Sequence, residues 1–157
     1  MPALYRSHLP ALMVLFADLE NHARGQSQVF VGTPGSVLER SNAAGFRFFA
    51  HQFYDGDGKK RERYLAGPVG APEADAMAQA VRLAIAETKA ASTSLRLLGR
   101  EGFALADAKT YATLASLYNH GVFQAGGVLI GSHAYGLLLN QLGVAGAPYA
   151  TEDIDIA

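Results

Sequence analysis

The 157-residue chain contains no cysteine and no tryptophan. Lack of cysteine removes disulfides, thiolate metal sites and thiol nucleophiles together. It also fits a reducing compartment, so the cytoplasm is the expected location. Charge is scarce as well: Asp, Glu, Lys and Arg make up 17% of residues, and the formal net charge is −1. A chain so close to neutral has no global attraction for nucleic acid or an anionic membrane, and any polyanion site must be a local patch. No apolar run approaches the roughly 18 residues that a membrane span needs. What is plentiful is apolar character, at 50% of residues, a balance that suits a chain able to bury a core and excludes the disordered class.

In the segment "HLPALMVLFADLE", Leu12, Leu15, Phe16 and Leu19 fall at helical spacing, with Asp18 and Glu20 beside the last of them. This predicts an amphipathic core helix. The run has the length of a secretory signal core, but little positive charge precedes it and no small-x-small cleavage pattern follows.

The Gly/Pro-rich stretch "AGPVGAPEA", residues 66–74, divides the chain into segments 1–66 and 67–157. In the first segment, Ser36 to Arg40, Phe46 to Tyr54 and Lys59 to Tyr64 read as strands, separated by "SNAAG" and by the Asp-Gly turn signal "DGDG". The expectation is a three-stranded antiparallel meander. "DGDGKKRERY" also places Asp55 and Asp57 at the first and third positions of a calcium loop. Lys59 and Lys60 then occupy the fifth and sixth positions, so the stretch is read as a turn. Lys59, Lys60, Arg61 and Arg63 beside Phe and Tyr rings have the composition of a single-stranded nucleic-acid surface. They also suit a merely solvated hairpin that Glu62 interrupts.

The second segment opens with a helix near Pro72, whose apolar stripe Met77, Val81, Ala84 and Ile85 fades towards "AAST". Another helix is expected after Ala106, capped by Asp107 and burying Tyr111, Leu114, Ala115 and Tyr118. Both read as scaffold.

The functional signal lies at the C-terminal end. Gly126 and Gly127 release the chain into "VLIG", expected to be a short buried strand. Ser132 stands at the natural cap of the helix "HAYGLLLNQL", which Gly143 stops. A strand-to-helix turn at Gly131-Ser132 would aim free backbone N–H groups and the positive end of a helix dipole at a bound phosphate. The strand "TEDIDIA" follows, and its alternation puts Asp153 and Asp155 on one face while Ile154 and Ile156 enter the core. Two carboxylates so placed repel unless a cation lies between them, and hard oxygen ligands select Mg²⁺ or Mn²⁺.

Gly131-Ser132 followed by Asp153-Ile154-Asp155 resembles the signature of the nucleotidyltransferase superfamily that includes DNA polymerase beta. "VLIGSHAYGLLLNQLGV … TEDIDIA", with upstream "GSVLERSNAAGFRFFAHQFYDGDGKKRERYLAG", resembles a group of bacterial nucleotidyltransferase-domain proteins. The resemblance implies that Gly131 and Ser132 bind the phosphates of a nucleoside triphosphate such as ATP, and that Asp153 and Asp155 are catalytic Mg²⁺ ligands. It also implies a third carboxylate on a later strand. The spacer after Ser132 exceeds the superfamily's usual length, with "GVAGAPYAT" as the expected excursion. Glu152, Glu101 and Asp107 are not obvious third ligands, so the chain reads as an N-terminal fragment of a longer protein. P-loop, dinucleotide-binding, nucleophile-elbow and His-Glu-x-x-His motifs are absent from the sequence. His133, next to Ser132, is within reach of a phosphate or an incoming hydroxyl, and equally suits a packing role.

The expected class is therefore α+β: an N-terminal helix plus meander (1–66), then helices leading into a partial nucleotidyltransferase mixed sheet (67–157). The expected activity is Mg²⁺-dependent nucleotidyl transfer from a nucleoside triphosphate to a hydroxyl acceptor on nucleic acid, protein or a small molecule, and incomplete in this fragment. The alternative is a non-catalytic nucleic-acid-binding module that uses the hairpin 46–64.

Overall fold

Residues 5–26, 28–146 and 153–157 are described by the structure, a computed structural model of the chain. Their elements run β1 (Arg6–Ser7), α1 (Pro10–Arg24), β2 (Ser36–Ser41), β3 (Arg47–Tyr54), β4 (Lys60–Ala66) and α2 (Pro72–Arg100). There follow α3 (Ala108–Asn119), β5 (Leu129–Ile130), α4 (Gly131–Gln141), β6 (Val144–Ala145) and β7 (Asp155–Ile156). The class is α+β. In place of one mixed sheet, the described strands form an antiparallel β2-β3-β4 meander and two separate antiparallel pairs, β1 with β6 and β5 with β7.

Side chains close both turns of the meander. Asn42 Oδ1 accepts from the Ala44 and Phe46 amides at 3.0 Å each. Asp55 Oδ1 accepts from the Asp57 amide at 3.1 Å and the Lys59 amide at 2.9 Å, while Gly58 takes a left-handed φ of +76°. The "DGDG" stretch is thus an Asx-type turn, because its first carboxylate is already used by backbone N–H groups. Alternation along β3 sends Phe49, His51 and Phe53 to one face. Helix α2 lies across it: Phe49, 3% exposed, packs with Ala74 and Ala78, and half-buried Val37, Leu65, Ala66, Val69 and Ala71 surround them. Alanines one turn apart let the helix close on the ring. This core spans the expected division at residue 66.

Helix α2 does not fade at "AAST". The hydroxyls of Thr88, Ser92 and Thr93 donate to the carbonyls of Ala84, Thr88 and Lys89, four residues back, at 2.8, 2.8 and 3.4 Å. A hydroxyl satisfied inside the helix no longer competes for its backbone, so the helix continues to Arg100. Leu98, 1% exposed, accepts at its carbonyl from the amide of Phe103, whose ring stacks on His8 at 3.8 Å and meets Phe16 of α1 at 5.5 Å.

Asp107 caps α3 as expected, accepting from the Thr110 amide at 2.8 Å. The helix is held less by apolar burial than expected. Ala115 and Thr110 are buried, but Tyr111 is 36% exposed. Polar ties replace the missing area: Tyr118 Oη donates to the Gln26 carbonyl at 2.6 Å, Tyr111 Oη to that of Phe30 at 2.8 Å, and Asn119 bonds both backbone groups of Val29. After α4, Gly143 turns the chain at φ +69°, and Val144–Ala145 pair with β1. The expected excursion 143–151 therefore begins as a strand, and its part from 147 on lies outside the described residues. Packing here is thin. Leu137, Leu138 and Leu142 are 50%, 60% and 74% exposed.

Candidate functional site

The site expected from the sequence is assembled by the pairing of β5 with β7. Leu129 faces Ile156 and Ile130 faces Asp155, and Val128 and Ala157 exchange backbone hydrogen bonds of 2.8 and 2.9 Å. The short strand is exposed rather than buried as expected: Val128 is 57% and Ile130 44% exposed, since no described layer covers that face. On the returning segment the alternation holds. Asp153 and Asp155 are exposed, whereas Ile154 and Ile156 are half-buried.

This register carries Asp155 to the turn. Gly131 has φ +71°, a left-handed backbone, and a Cβ added to it would lie 3.3 Å from Asp155 Cγ, with carboxylate Oδ2 closer still. Glycine is favoured here by its conformation, and the end of the Asp155 side chain lies in the space a Cβ would take. The structure thus brings Gly131 and Asp155 together across 24 residues of sequence, with Ser132 and Asp153 each a short step away along the chain.

Ser132 is not the helix cap that the sequence suggests. Ile130 holds the cap position without a side-chain hydrogen bond, and Ser132 falls within the first turn. The reason is Gly131: its left-handed turn swings the chain into the helix before Ser132, so the serine falls inside the first turn. The first amides of α4 consequently have neither an intrahelical partner nor a capping oxygen, and they sit at the positive end of its dipole beside the Asp155 carboxylate.

The donor set offers hard oxygen ligands from Asp153 and Asp155, a fit for Mg²⁺ or Mn²⁺. No cluster of three or more His, Cys, Asp or Glu suited to a metal occurs among the described residues, and Glu152 lies outside them. Asp107 is committed elsewhere. Hydrogen bonds from the Thr110 amide and hydroxyl hold its carboxyl below the usual range.

Behind the turn lies a cavity of about 790 Å³. Leu114, Leu129, Leu139 and Val144 wall it, and Ser132 and His133 line it from the start of α4. The Nε2 atom of His133 is buried without a hydrogen-bond partner. Asn140 was not singled out from sequence, yet it is 3% exposed and ties α4 to the loop before α3, bonding the Ala104 amide at 2.8 Å and carbonyl at 2.9 Å. A lone asparagine within "GLLLNQL" is its only trace in the sequence.

The basic hairpin is more neutral than its composition. Arg61 is paired with Asp55 at 2.7 Å, Arg40 with Glu62 at 2.8 Å, and the Arg63 guanidinium stands 5.8 Å from the Phe53 centroid. Phe46, Phe48 and Tyr64 form a ring cluster at centroid distances of 6.3 and 5.6 Å, with Phe46 41% and Tyr64 59% exposed. The chain matches no protein family, no curated protein and no solved structure.

Proposed function

We propose that this chain carries the nucleotide- and metal-binding elements of a nucleotidyltransferase. The observation that supports the reading is the Ile130–Asp155 pairing, which lays a carboxylate against Gly131 at the uncapped start of α4. In this reading the first-turn amides, that of Ser132 among them, donate to the triphosphate, and Asp153 and Asp155 hold Mg²⁺. Bound there, the ion would neutralise phosphate charge and polarise the α-phosphorus. Gly131, lacking a Cβ, lets a phosphate approach the backbone as closely as Asp155 does. The reaction is displacement at the α-phosphorus by an acceptor hydroxyl, with pyrophosphate leaving.

Thermal melts with Mg²⁺ and ATP test the binding, and incorporation from an α-labelled triphosphate tests transfer. A nucleotide-dependent rise in Tm that disappears in Asp153→Asn with Asp155→Asn supports the assignment. A rise that survives in the double variant, or no rise in the unaltered chain, rejects it.

A second reading draws on the exposed Phe46–Phe48–Tyr64 cluster: single-stranded nucleic acid stacked on the meander, without catalysis. It requires oligonucleotide binding that weakens steeply with salt and is lost in Phe46→Ala with Tyr64→Ala. Binding that ignores both salt and these substitutions discards it.

A further inference from the structure

The cavity behind α4, at about 790 Å³, has the size of a small-molecule site. Its polar lining side chains are Asp107, Ser132, His133, Tyr135 and Asn140. Three of them are already engaged within the protein. Asn140 spends its amide on Ala104, and Asp107 accepts from the Thr110 amide and hydroxyl at 2.8 and 3.1 Å. The Tyr135 hydroxyl meets that of Tyr5 at 2.9 Å. The other two are adjacent in the chain: Ser132, which has no cap bond to make, and His133, whose buried Nε2 is without a partner. No Lys or Arg is among the described residues that line the cavity, and its one carboxylate disfavours an anion. The remaining lining side chains among the described residues are apolar.

We propose that this cavity binds an uncharged alcohol or phenol with an apolar body, its hydroxyl held at Ser132 and His133. A single hydroxyl fits the two adjacent lining side chains for which no internal hydrogen bond is seen, and an apolar body fits the leucine walls. The inference rests on the nucleotidyl-transfer reading in one respect, that it names the acceptor. Ser132 follows directly on Gly131, which the Asp155 carboxylate faces. The oxygen of the held hydroxyl then bonds to the α-phosphorus of the nucleoside triphosphate as the bond to pyrophosphate breaks, and its proton passes to the His133 imidazole.

The test compares toluene, benzyl alcohol and benzoate, which share one ring, by methyl NMR titration of the chain. Benzyl alcohol is expected to shift the Leu129 and Leu139 methyl signals saturably and to bind ~3–10-fold more tightly than toluene, the worth of about one hydrogen bond. Ser132→Ala with His133→Phe should erase that preference while toluene still binds. The proposal is overturned if neither neutral probe gives saturable shifts, if the two bind equally to the unaltered chain, or if benzoate binds as well as the alcohol. Asp155→Asn separates it from the reading it extends, since this variant should lose Mg²⁺-nucleotide binding and keep benzyl alcohol. Alcohol binding without nucleotide binding in the unaltered chain overturns nucleotidyl transfer alone. Nucleotide binding without alcohol binding overturns the cavity assignment alone.

Discussion

Replacing Gly131 by alanine puts the geometry of the site under direct strain. Two costs are separable. The left-handed backbone at φ +71° costs an L-residue about 1–2 kcal/mol, wherever its side chain points. The new Cβ also sits 3.3 Å from Asp155 Cγ and nearer to Oδ2. That clash is with the end of an exposed side chain, which can rotate away, so it costs only the ~0.5–1.5 kcal/mol of an off-rotamer aspartate. Gly131→Ala should therefore lower unfolding free energy by about 1.5–3.5 kcal/mol. In an Asp155→Ala background only the backbone part should remain. Urea unfolding of the four proteins of this cycle gives the coupling, expected at ~0.5–1.5 kcal/mol. Nucleotide binding should suffer as well. A rotated Asp155 no longer faces the turn, and misplacing a group that orients a metal site costs on the order of tenfold in affinity. Strict additivity in the cycle would refute the claim that Asp155 lies over Gly131, and an unchanged unfolding free energy for Gly131→Ala would refute the turn itself.

Other consequences follow from groups outside the turn. Asn140→Ala strips hydrogen bonds from both backbone groups of Ala104, and should cost about 2–4 kcal/mol in urea melts, with Asn140→Asp no adequate substitute because it loses the donor. The Glu62 carboxyl is pulled down to about 2, chiefly by hydrogen bonds from Arg40 and then Gln52. Its contribution is fully present above the ordinary value of 4.5 and lost as pH falls through about 2, so Glu62→Gln should flatten the stability–pH curve in that window. His8, 8% exposed and stacked on Phe103, has its imidazole held below the usual 6.5 by burial and then by Arg6. A depressed histidine withholds stability as pH falls below 6.5, because the unfolded chain takes up the proton first. His8→Phe should remove that component of acid sensitivity in melts across pH 7 to 5 and keep the ring stack.

The meander was legible because its determinants are local. Asn42 and Asp55 stand where a turn needs side-chain acceptors, Gly58 where it needs a left-handed φ, and the alternation about Phe49 marks the covered face. The Asp107 cap was equally local. The run of α2 through "AAST" was not, since apolar periodicity says nothing of hydroxyls that bond back to their own helix. The Ser132 cap failed because the left-handed turn at Gly131 starts the helix before the serine, and sequence does not record φ. Meeting of Gly131 with Asp155 needed only the period-two alternation of "TEDIDIA" and an antiparallel return. Asn140 stayed hidden because its role is defined by Ala104, 36 residues away.

Paramagnetic broadening reaches the two-carboxylate site without requiring turnover. Substoichiometric Mn²⁺ added to the chain with a non-hydrolysable nucleoside triphosphate should broaden first the amide signals of Gly131, Ser132, Asp153 and Asp155, and Asp155→Asn should abolish this. Broadening that begins at Asp55 and Asp57 of the hairpin, or that is indifferent to Asp155→Asn, would contradict a metal site at the start of α4.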